Sequence, residues 1–223
     1  MSTFLTGQSS PQPYAWQSQD CLLNGKTCLI RTARSHDLST LATVLTECFH
    51  PHTGVAAWMN PVFRLGIYED LRHRFYANEP HAVCLVAVDA AGAETAGKRS
   101  LSDGAIAGTV ELSLRYPQLW SSLHQRYLYI SNLAVHPDYR RQGVARRLLH
   151  VCEQIALDWG YVDLYLHVLG NNDSARQLYR QMGFTAKSTE FSVSAYLFRR
   201  PQQLLMHKSL RRSASEASTA TSS

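Results

Sequence analysis

The stretch that decides the fold of this 223-residue chain is residues 133–145, which read LAVHPDYRRQGVA. Its apolar start predicts the end of a strand, and the His-Pro pair after Val135 predicts a sharp turn. Arginines and Gly143 follow, and then apolar residues recur with the spacing of an amphipathic helix. We therefore predict a strand over 128–135 and a helix over 144–159, joined by a basic loop.

The predicted loop and helix start have the properties of an anion site. The first N–H groups of a helix have no partner within it, the helix dipole places about half a positive charge there, and Gly143 lets a ligand approach closely. Three arginines can pair with phosphate oxygens: Arg140, Arg141 and Arg146. A pyrophosphate suits such a place, but the spacing matches neither G-x-G-x-x-G nor the Walker pattern. An ordinary solvated helix start is the alternative.

A second motif occupies residues 171–184, which read NNDSARQLYRQMGF. Three residues can cap the short helix that it predicts: Asn172, Asp173 and Ser174. Gly183 can end this helix, and Tyr179 lies one turn after the small residue Ala175 on the same face. Taken alone, the motif predicts only a packed helix with a buried tyrosine.

Together the two motifs resemble the Gcn5-related N-acetyltransferase (GNAT) superfamily. R-x-x-G-x-A at residues 140–145 matches the family's pyrophosphate motif, and N-x-x-A-x-x-L-Y-x-x-x-G-F at 172–184 matches its second cofactor motif. The resemblance is clear over residues 128–184 and extends more weakly over 27–208. LYISN at 128–132, together with the strand around Tyr165-Leu166-His167, is similar to the plastid and cyanobacterial branch of the family.

The resemblance implies a mixed α+β fold, with a largely antiparallel central sheet, a splayed strand pair and helices on both faces. Apolar periodicity along the chain predicts the order β-α-α-β-β-β-α-β-α-β-β. We expect one N-acetyltransferase domain over residues 26–210. The polar segment 1–25 predicts a flexible N-terminal arm, and the Ser- and Ala-rich segment 211–223 predicts a disordered tail.

The resemblance also implies that acetyl-CoA is the co-substrate. Its pantetheine arm would lie in the gap beside the strand that ends near Val135, bonded by main-chain groups of Leu133 and Val135. Asn172 would contact the arm, and the N–H groups of the basic loop would hold the pyrophosphate. The implied cofactor contacts are Leu133, Ala134, Val135, Arg141, Gln142, Gly143, Val144, Ala145, Arg146, Asn172, Asp173, Ser174 and Tyr179.

Two catalytic roles follow from the same resemblance. Tyr179 would protonate the leaving CoA thiolate, since the pKa of a phenol, ~10, lies near that of a thiol, ~8.5. The acceptor amine must lose a proton before it attacks, and His167 occupies the strand position where some family members carry a glutamate. His167 is therefore either the base or a strand histidine hydrogen-bonded within the sheet. Glu111, which could equally face solvent, and a water are the other candidate bases.

Composition excludes several other classes of protein. The net charge is +5 without a long Lys/Arg run, so a broad nucleic-acid-binding face is not predicted. No apolar run approaches the ~20 residues of a membrane span. The five cysteines are scattered without a C-x-x-C pair, which predicts neither a metal site nor a disulfide framework. We expect a cytoplasmic protein, or one of the plastid stroma if the chain comes from a plant.

These observations predict transfer of an acetyl group from acetyl-CoA to a primary amine in a ternary complex. A protein N-terminal or lysine amine is favoured, because the plastid-type branch acts on both. The alternatives are a small amine such as an arylalkylamine, and a non-catalytic acyl-CoA sensor, against which Tyr179 argues. The acceptor would lie between residues 50–61 and 190–201, and we expect a monomer or a weak dimer.

Overall fold

The computed structural model describes residues 19–23, 26–49, 60–77, 79–89, 104–116, 126–189 and 202–211. Within these ranges an eight-stranded sheet is combined with four α-helices. In chain order the elements are β1 (Gln19–Leu23), β2 (Lys26–Thr32), α1 (Leu38–Phe49), α2 (Asn60–Ala77), β3 (Ala82–Asp89), β4 (Ala105–Arg115), β5 (Tyr127–Val135), α3 (Val144–Asp158), β6 (Asp163–Leu169), α4 (Asp173–Gln181), β7 (Thr185–Thr189) and β8 (Gln203–Ser209). The predicted α+β class and element order are confirmed from β2 onward.

One strand, β1, precedes the predicted order. It pairs antiparallel with β2, so the prediction of a flexible arm over residues 1–25 is wrong for Gln19–Leu23. The sequence signal is the dipeptide Asn24-Gly25, which is favoured in two-residue hairpin loops. In the structure this local signal prevails over the polar composition of the segment. Residues 1–18 and 212–223 lie outside the described residues, so the domain boundaries stay predictions.

The strands of the sheet follow the order β1-β2-β3-β4-β5-β6-β8-β7. All neighbouring strands are antiparallel except β5 and β6, which are parallel. A parallel pair needs a crossover connection, and α3 supplies it between β5 and β6. The crossover starts at the end of β5. The start of α3 therefore lies near the C-terminal ends of the parallel strands β5 and β6.

The two faces of the sheet bury different helices. One hydrophobic cluster packs α3 and α4 against alternate strand residues, among them Leu85, Leu112 and Leu164. The second hydrophobic cluster lies on the opposite face of the sheet. It packs α1 and Leu71 of α2 against the intervening strand residues, such as Val86. Successive strand residues point to opposite faces, so the period-two pattern of each strand decides which helix pair it contacts.

The helix α3 agrees closely with its prediction. It begins at Val144, and its last turn closes with the N–H of Trp159 donating to the Ile155 carbonyl at 3.0 Å. Gly160 follows with a φ of 80°, a conformation that suits glycine at a helix end. The buried side chains of α3 form its apolar stripe: Val144, Leu148, Leu149, Val151, Cys152, Ile155 and Ala156. Each fully buried leucine contributes about 1.5–3 kcal/mol, so this stripe fixes α3 on the sheet.

Candidate active site

The strands β5 and β6 pair over three residues and then separate. The pairs run from Leu128–Leu164 to Ile130–Leu166. Beyond them β5 continues to Val135 beside β4, and β6 continues to Leu169 beside β8. The facing edges of residues 131–135 and 167–169 therefore bound a gap in the sheet. Main-chain groups along such an edge can bind an extended ligand as an additional strand.

A β-bulge in β5 accounts for the separation. Thr109 of β4 pairs with Ala134 and Glu111 pairs with Ser131, so β5 contains one residue more than β4 between these pairs. Asn132 lies in the bulge with a φ of 52°, a left-handed conformation that asparagine adopts more readily than most residues. A bulge bends its strand and increases the local twist. The bend occurs where β5 leaves β6.

The predicted anion site lies at the end of the gap. Arg141 and Gly143 both have positive φ values, 64° and 89°, and Gly143 is the N-terminal cap of α3. The N–H of Arg147 donates to the Gly143 carbonyl at 3.1 Å. The N–H groups of residues 144–146 precede this first bond of the helix, so they are the groups that an anion can approach.

The arginines of this loop also hold it in place. Arg140 donates from Nε to the Val135 carbonyl at 3.2 Å, and the Cys48 thiol donates to the same oxygen at 3.3 Å. Arg146 donates to the Gln181 side chain at 3.0 Å, which joins the start of α3 to the end of α4. The guanidinium groups are exposed, and they remain available to phosphate oxygens.

The other predicted contact residues of the loop and strand have side chains that are engaged within the protein. Gln142 donates from its side chain to the Asp138 carbonyl at 2.9 Å and closes the loop. The side chains of Ala134 and Val144 are buried in the two hydrophobic clusters. Leu133 and Val135 pack partly against the α3 cluster. A ligand in the gap would therefore meet backbone N–H and carbonyl groups along this stretch.

Gly108 of β4 lets α3 begin close to the sheet, and it belongs to neither of the two sequence motifs. A Cβ at this position would lie 2.8 Å from the Ala134 carbonyl oxygen and 3.0 Å from Val144 Cγ1. Any side chain here would push the start of α3 away from β5. An isolated glycine inside a predicted strand is the signal that could have found it.

The helix α4 buries Tyr179 in the hydrophobic cluster that also contains residues of α3, β5 and β6. Asn172 caps this helix, since its Oδ1 accepts the N–H of Ala175 at 3.1 Å, and Asp173 and Ser174 form the first turn. Tyr179 is 7% exposed and stacks edge-on against Phe184. Burial, with a further contribution from Tyr129, raises the pKa of Tyr179 to about 12. Its hydroxyl is therefore protonated at neutral pH and can act as a proton donor.

Tyr129 and His167 meet across the two strands where the gap begins. The Tyr129 hydroxyl lies 2.9 Å from His167 Nδ1. Both side chains point away from α3, because their strand neighbours Ile130 and Leu166 pack against it. The sequence alone places Tyr129 on a strand but does not reveal its contact with His167.

Glu111 is held by side chains on both sides. Arg74 donates to Glu111 Oε2 at 2.6 Å, and Asn132 donates to Oε1 at 3.1 Å. The Glu111 side chain is 12% exposed, so the interpretation as a solvent-facing strand residue is wrong. Burial raises the pKa of Glu111, although the charge of Arg74 opposes that shift. Both carboxylate oxygens of Glu111 are engaged, whereas His167 has Nδ1 against the Tyr129 hydroxyl and Nε2 shielded from solvent. The choice between these two bases therefore stays a prediction.

Two classes of feature are absent from the described part of the chain. No group of three or more His, Cys, Asp or Glu side chains within it is placed to hold a metal ion. None of its helices combines the length and apolar character needed to cross a bilayer. The predicted acceptor segments fall almost entirely outside the described residues, apart from residues 60–61 at the start of α2.

Residues 53–184 match the family model described as the acetyltransferase (GNAT) family. The chain belongs to the GNAT acetyltransferase family. The match contains the bulged strand, the basic loop, α3 and α4, so the resemblance predicted from the two motifs is confirmed.

Individual GNAT proteins are similar to this chain over segments of different length. GCN5-related N-acetyltransferase 7, chloroplastic, from Arabidopsis thaliana is 36% identical over 78 residues, which cover 35% of this chain and 28% of the relative. GCN5-related N-acetyltransferase 10, chloroplastic, from the same plant is 27% identical over 182 residues, which cover 77% of this chain and 67% of the relative. The chain thus spans 28% to 67% of the length of these two GNAT relatives.

A solved structure shows the same GNAT fold. The NatC complex bound to Gag peptide and CoA contains a chain that matches with a TM-score of 0.57 at 16% identity, and the match covers 82% of this chain and 99% of that one. At this identity the likeness concerns the fold alone.

Proposed function

We propose that this protein transfers the acetyl group of acetyl-CoA to a primary amine by direct attack in a ternary complex. The observation that carries the proposal is the gap between β5 and β6, with the start of α3 at one end and Tyr179 buried in the same hydrophobic cluster as residues of both strands. Membership of the GNAT acetyltransferase family supports it, as do relatives named N-acetyltransferases. In the NatC complex, a chain of the same fold occurs together with CoA.

The residues around the gap fit the parts of acetyl-CoA. Main-chain groups of Leu133 and Val135 would bind the amides of the pantetheine arm as a neighbouring strand does. The N–H groups of Arg141–Arg146 would bind the pyrophosphate, because the helix dipole and the arginine charges both favour an anion there. Asn172, with the first turn of α4, would contact the arm from the other side. These assignments rest on the gap and on the two sequence motifs.

The proposed reaction forms a C–N bond and breaks a C–S bond at the same carbonyl carbon. The amine nitrogen attacks the thioester carbonyl, and His167, directly or through a water, removes the amine proton. The Tyr129 hydroxyl would hold the His167 ring by its bond to Nδ1. As the thioester C–S bond breaks, Tyr179 gives its proton to the departing thiolate sulfur and later regains one from solvent. Desolvation raises the pKa of Tyr179, and it would raise that of the neighbouring thiol as well.

A protein N-terminal or lysine amine is the acceptor that we propose. The NatC complex, which contains a chain of the same fold, is bound to a peptide as well as to CoA, and this supports a peptide acceptor. The two alternatives are a small amine such as an arylalkylamine and a non-catalytic acyl-CoA-binding role. CoA release measured over a peptide library and a panel of small amines separates all three, because an acyl-CoA sensor releases CoA with neither set.

The plastid stroma is the compartment that we propose, with the cytoplasm as the alternative. The names of the Arabidopsis relatives support this choice, since they are described as chloroplastic. Imaging of the full-length protein fused to a fluorescent protein in plant cells tests it. Fluorescence confined to the cytosol would contradict a plastid location.

The replacement Gly143→Trp tests where the cofactor binds. A side chain at a φ of 89° is strained by about 1–2 kcal/mol, and its bulk blocks the start of α3. Because the bulk of the side chain obstructs the anion site, we expect the Kd of acetyl-CoA to rise at least about tenfold, which corresponds to about 1.4 kcal/mol of binding free energy. The far-ultraviolet circular dichroism should stay that of a folded protein. Unchanged acetyl-CoA affinity in a folded Gly143→Trp protein would show that the cofactor binds elsewhere.

A further inference from the structure

Three side chains from three elements meet beside the β5 bulge. Arg74 of α2 contacts Glu111 of β4 at 2.6 Å, and Glu111 accepts a hydrogen bond of 3.1 Å from Asn132 of β5. Arg74 also pairs with Asp70, one turn earlier on α2, at 2.6 Å. We call the set Arg74, Glu111 and Asn132 the bulge network. It connects a helix on one face of the sheet to the residue with left-handed backbone in the bulge.

Stability alone does not account for the bulge network. Taking an ion pair out of water costs several kcal/mol per ion, and the attraction between the charges often does no more than offset it. The Glu111 side chain is 12% exposed and that of its partner Arg74 is 34% exposed, whereas the side chains of the Arg72–Glu69 pair on the same helix are 53% and 54% exposed. The proposed reaction also assigns no proton transfer to Glu111. A shielded carboxylate that bonds a bulge residue therefore has another use.

The position of Asn132 indicates that use. It immediately precedes Leu133, whose main chain would bind the pantetheine arm, and it sits where β5 leaves β6. A left-handed backbone costs about 1–2 kcal/mol for a residue with a Cβ. The hydrogen bond from the Asn132 side chain to Glu111 offsets part of that cost and fixes the direction in which β5 continues.

We propose that Arg74, Glu111 and Asn132 are positioning residues for acetyl-CoA: they hold the β5 bulge so that the main chain of Leu133 and Val135 faces the gap. This inference rests on the proposed binding of acetyl-CoA along β5. Glu111 then acts through the backbone of its neighbour and exchanges no proton with the substrate. Loss of the network weakens cofactor binding and leaves the acid–base chemistry unchanged.

Single replacements separate the parts of the network. Glu111→Gln keeps the size of the side chain but removes its charge, and we expect the Kd and KM of acetyl-CoA to rise about tenfold, as for loss of a hydrogen bond to a charged group. Asn132→Gly keeps the left-handed backbone and removes the hydrogen bond, so a similar rise is expected. Asn132→Ala also disfavours the left-handed backbone at this position, so its effect should be larger than that of Asn132→Gly. In all three variants kcat should stay within about threefold of the wild type.

A double variant tests the hydrogen bond directly. Glu111→Gln combined with Asn132→Asp exchanges the amide and the carboxylate, so that the bond and the net charge are both restored. We expect the acetyl-CoA affinity to return to within about threefold of the wild type. The matched control is Glu69→Gln, which removes a carboxylate from an exposed pair on α2 and should leave the Kd unchanged.

The readouts are the Kd of acetyl-CoA by calorimetry, kcat, the pH profile of kcat and the melting temperature. A weaker Kd with an unchanged acidic limb of the pH profile supports the network. A flattened acidic limb with an unchanged Kd in Glu111→Gln would instead identify Glu111 as the base. If the folded protein has a normal Kd but a lower melting temperature, the network stabilises the fold and does not position acetyl-CoA. Either of these two results overturns the inference.

The Gly143→Trp protein distinguishes failure of this inference from failure of the proposed function. If Gly143→Trp weakens acetyl-CoA binding while Glu111→Gln and Asn132→Ala bind normally, the network inference alone is overturned. If the wild type does not bind acetyl-CoA, or Gly143→Trp binds it normally, the cofactor does not occupy this gap. That result would contradict both the proposed cofactor site and the inference about the bulge network.

Discussion

The pairing of β3 with β4 and the pairing of β5 with β6 have opposite consequences. Eight residue pairs join β3 and β4 along the whole of β3, and most residues of both strands are buried. Three pairs join β5 and β6 before the strands separate. The longer ladder has one register shift, between Ala87 and Val88, and it contributes to stability by pairing main-chain groups along the whole of β3. The interrupted ladder leaves an edge that a ligand can pair with, so the candidate site lies where the sheet stops being regular.

The replacement Tyr179→Phe should have the largest effect at the interrupted ladder. It keeps the ring against Phe184 and removes only the proton donor. General acid catalysis contributes about 10²–10⁴-fold, so kcat should fall by that factor while the Kd of acetyl-CoA changes little. The control is Tyr161→Phe, a tyrosine that packs partly against the same cluster. Steady-state kinetics with the best peptide substrate measure the effect, and a loss of less than about threefold would remove Tyr179 from the mechanism.

The replacement Asp37→Asn should act on the regular side of the sheet, where it changes stability and not chemistry. Asp37 and Arg31 form a buried pair at 2.6 Å, with side chains 6% exposed. Removing the carboxylate leaves the guanidinium of Arg31 poorly compensated, and we expect the free energy of unfolding to fall by about 3 kcal/mol. Urea unfolding measures this loss. A kcat per folded molecule that fell more than twofold would show that the two regions are coupled.

The same pair predicts how stability depends on pH. Burial alone would raise the pKa of Asp37, but hydrogen bonds from Arg31 and from the Arg34 backbone outweigh it and lower the pKa below its ordinary value of 3.8. The contribution of Asp37 is therefore complete above about pH 4 and is lost as the pH falls through the lowered value. The Asp37→Asn protein should lack this part of the acid dependence.

The replacement His167→Ala should come next in size. Removing a general base lowers kcat by about 10²-fold near neutral pH, and the acidic limb of the pH profile should flatten because protonation of the base no longer limits the rate. His167→Gln serves as a second variant that keeps a polar side chain in the strand. A full acidic limb in both variants would assign the base to a water or to another group.

The replacement Tyr129→Phe should have the smallest effect. It removes the hydroxyl that bonds His167 Nδ1 at 2.9 Å, a hydrogen bond worth about 1 kcal/mol. We expect kcat to fall about fivefold, with no further loss when Tyr129→Phe is added to His167→Ala. Additive losses in the double variant would mean that the tyrosine acts on the substrate directly and not through the histidine.

The sequence predicts the local parts of the site well. The basic loop, the boundaries of α3 and the cap of α4 depend on residues that are close along the chain, such as Gly143 and Asn172. The family follows from the same two motifs. Of the three possible caps of α4, however, only the observed hydrogen bond selects Asn172, because all three residue types have similar capping preferences.

The parts that the sequence does not predict depend on contacts between distant residues. The Tyr129–His167 pair joins two strands whose register is set by the crossover through α3. The shielding of Glu111 depends on Arg74, 37 positions earlier in the chain. Strand periodicity assigns Glu111 to a face but does not say what covers that face. Local signals can also prevail over composition, since β1 and β2 pair on either side of Asn24-Gly25 although the surrounding segment is polar.

The position of β8 in the sheet has a consequence for biosynthesis. β8 is the last strand of the described chain, yet it lies between β6 and β7 and pairs with β6 over seven residues. A nascent chain that has already made the gap, α3 and α4 still has no partner for the outer edge of β6. During translation the wall of the active site therefore stays incomplete until residues 203–209 leave the ribosome. Completion of the sheet around the candidate site is therefore a late event, and the β6 edge needs protection from other strands until then.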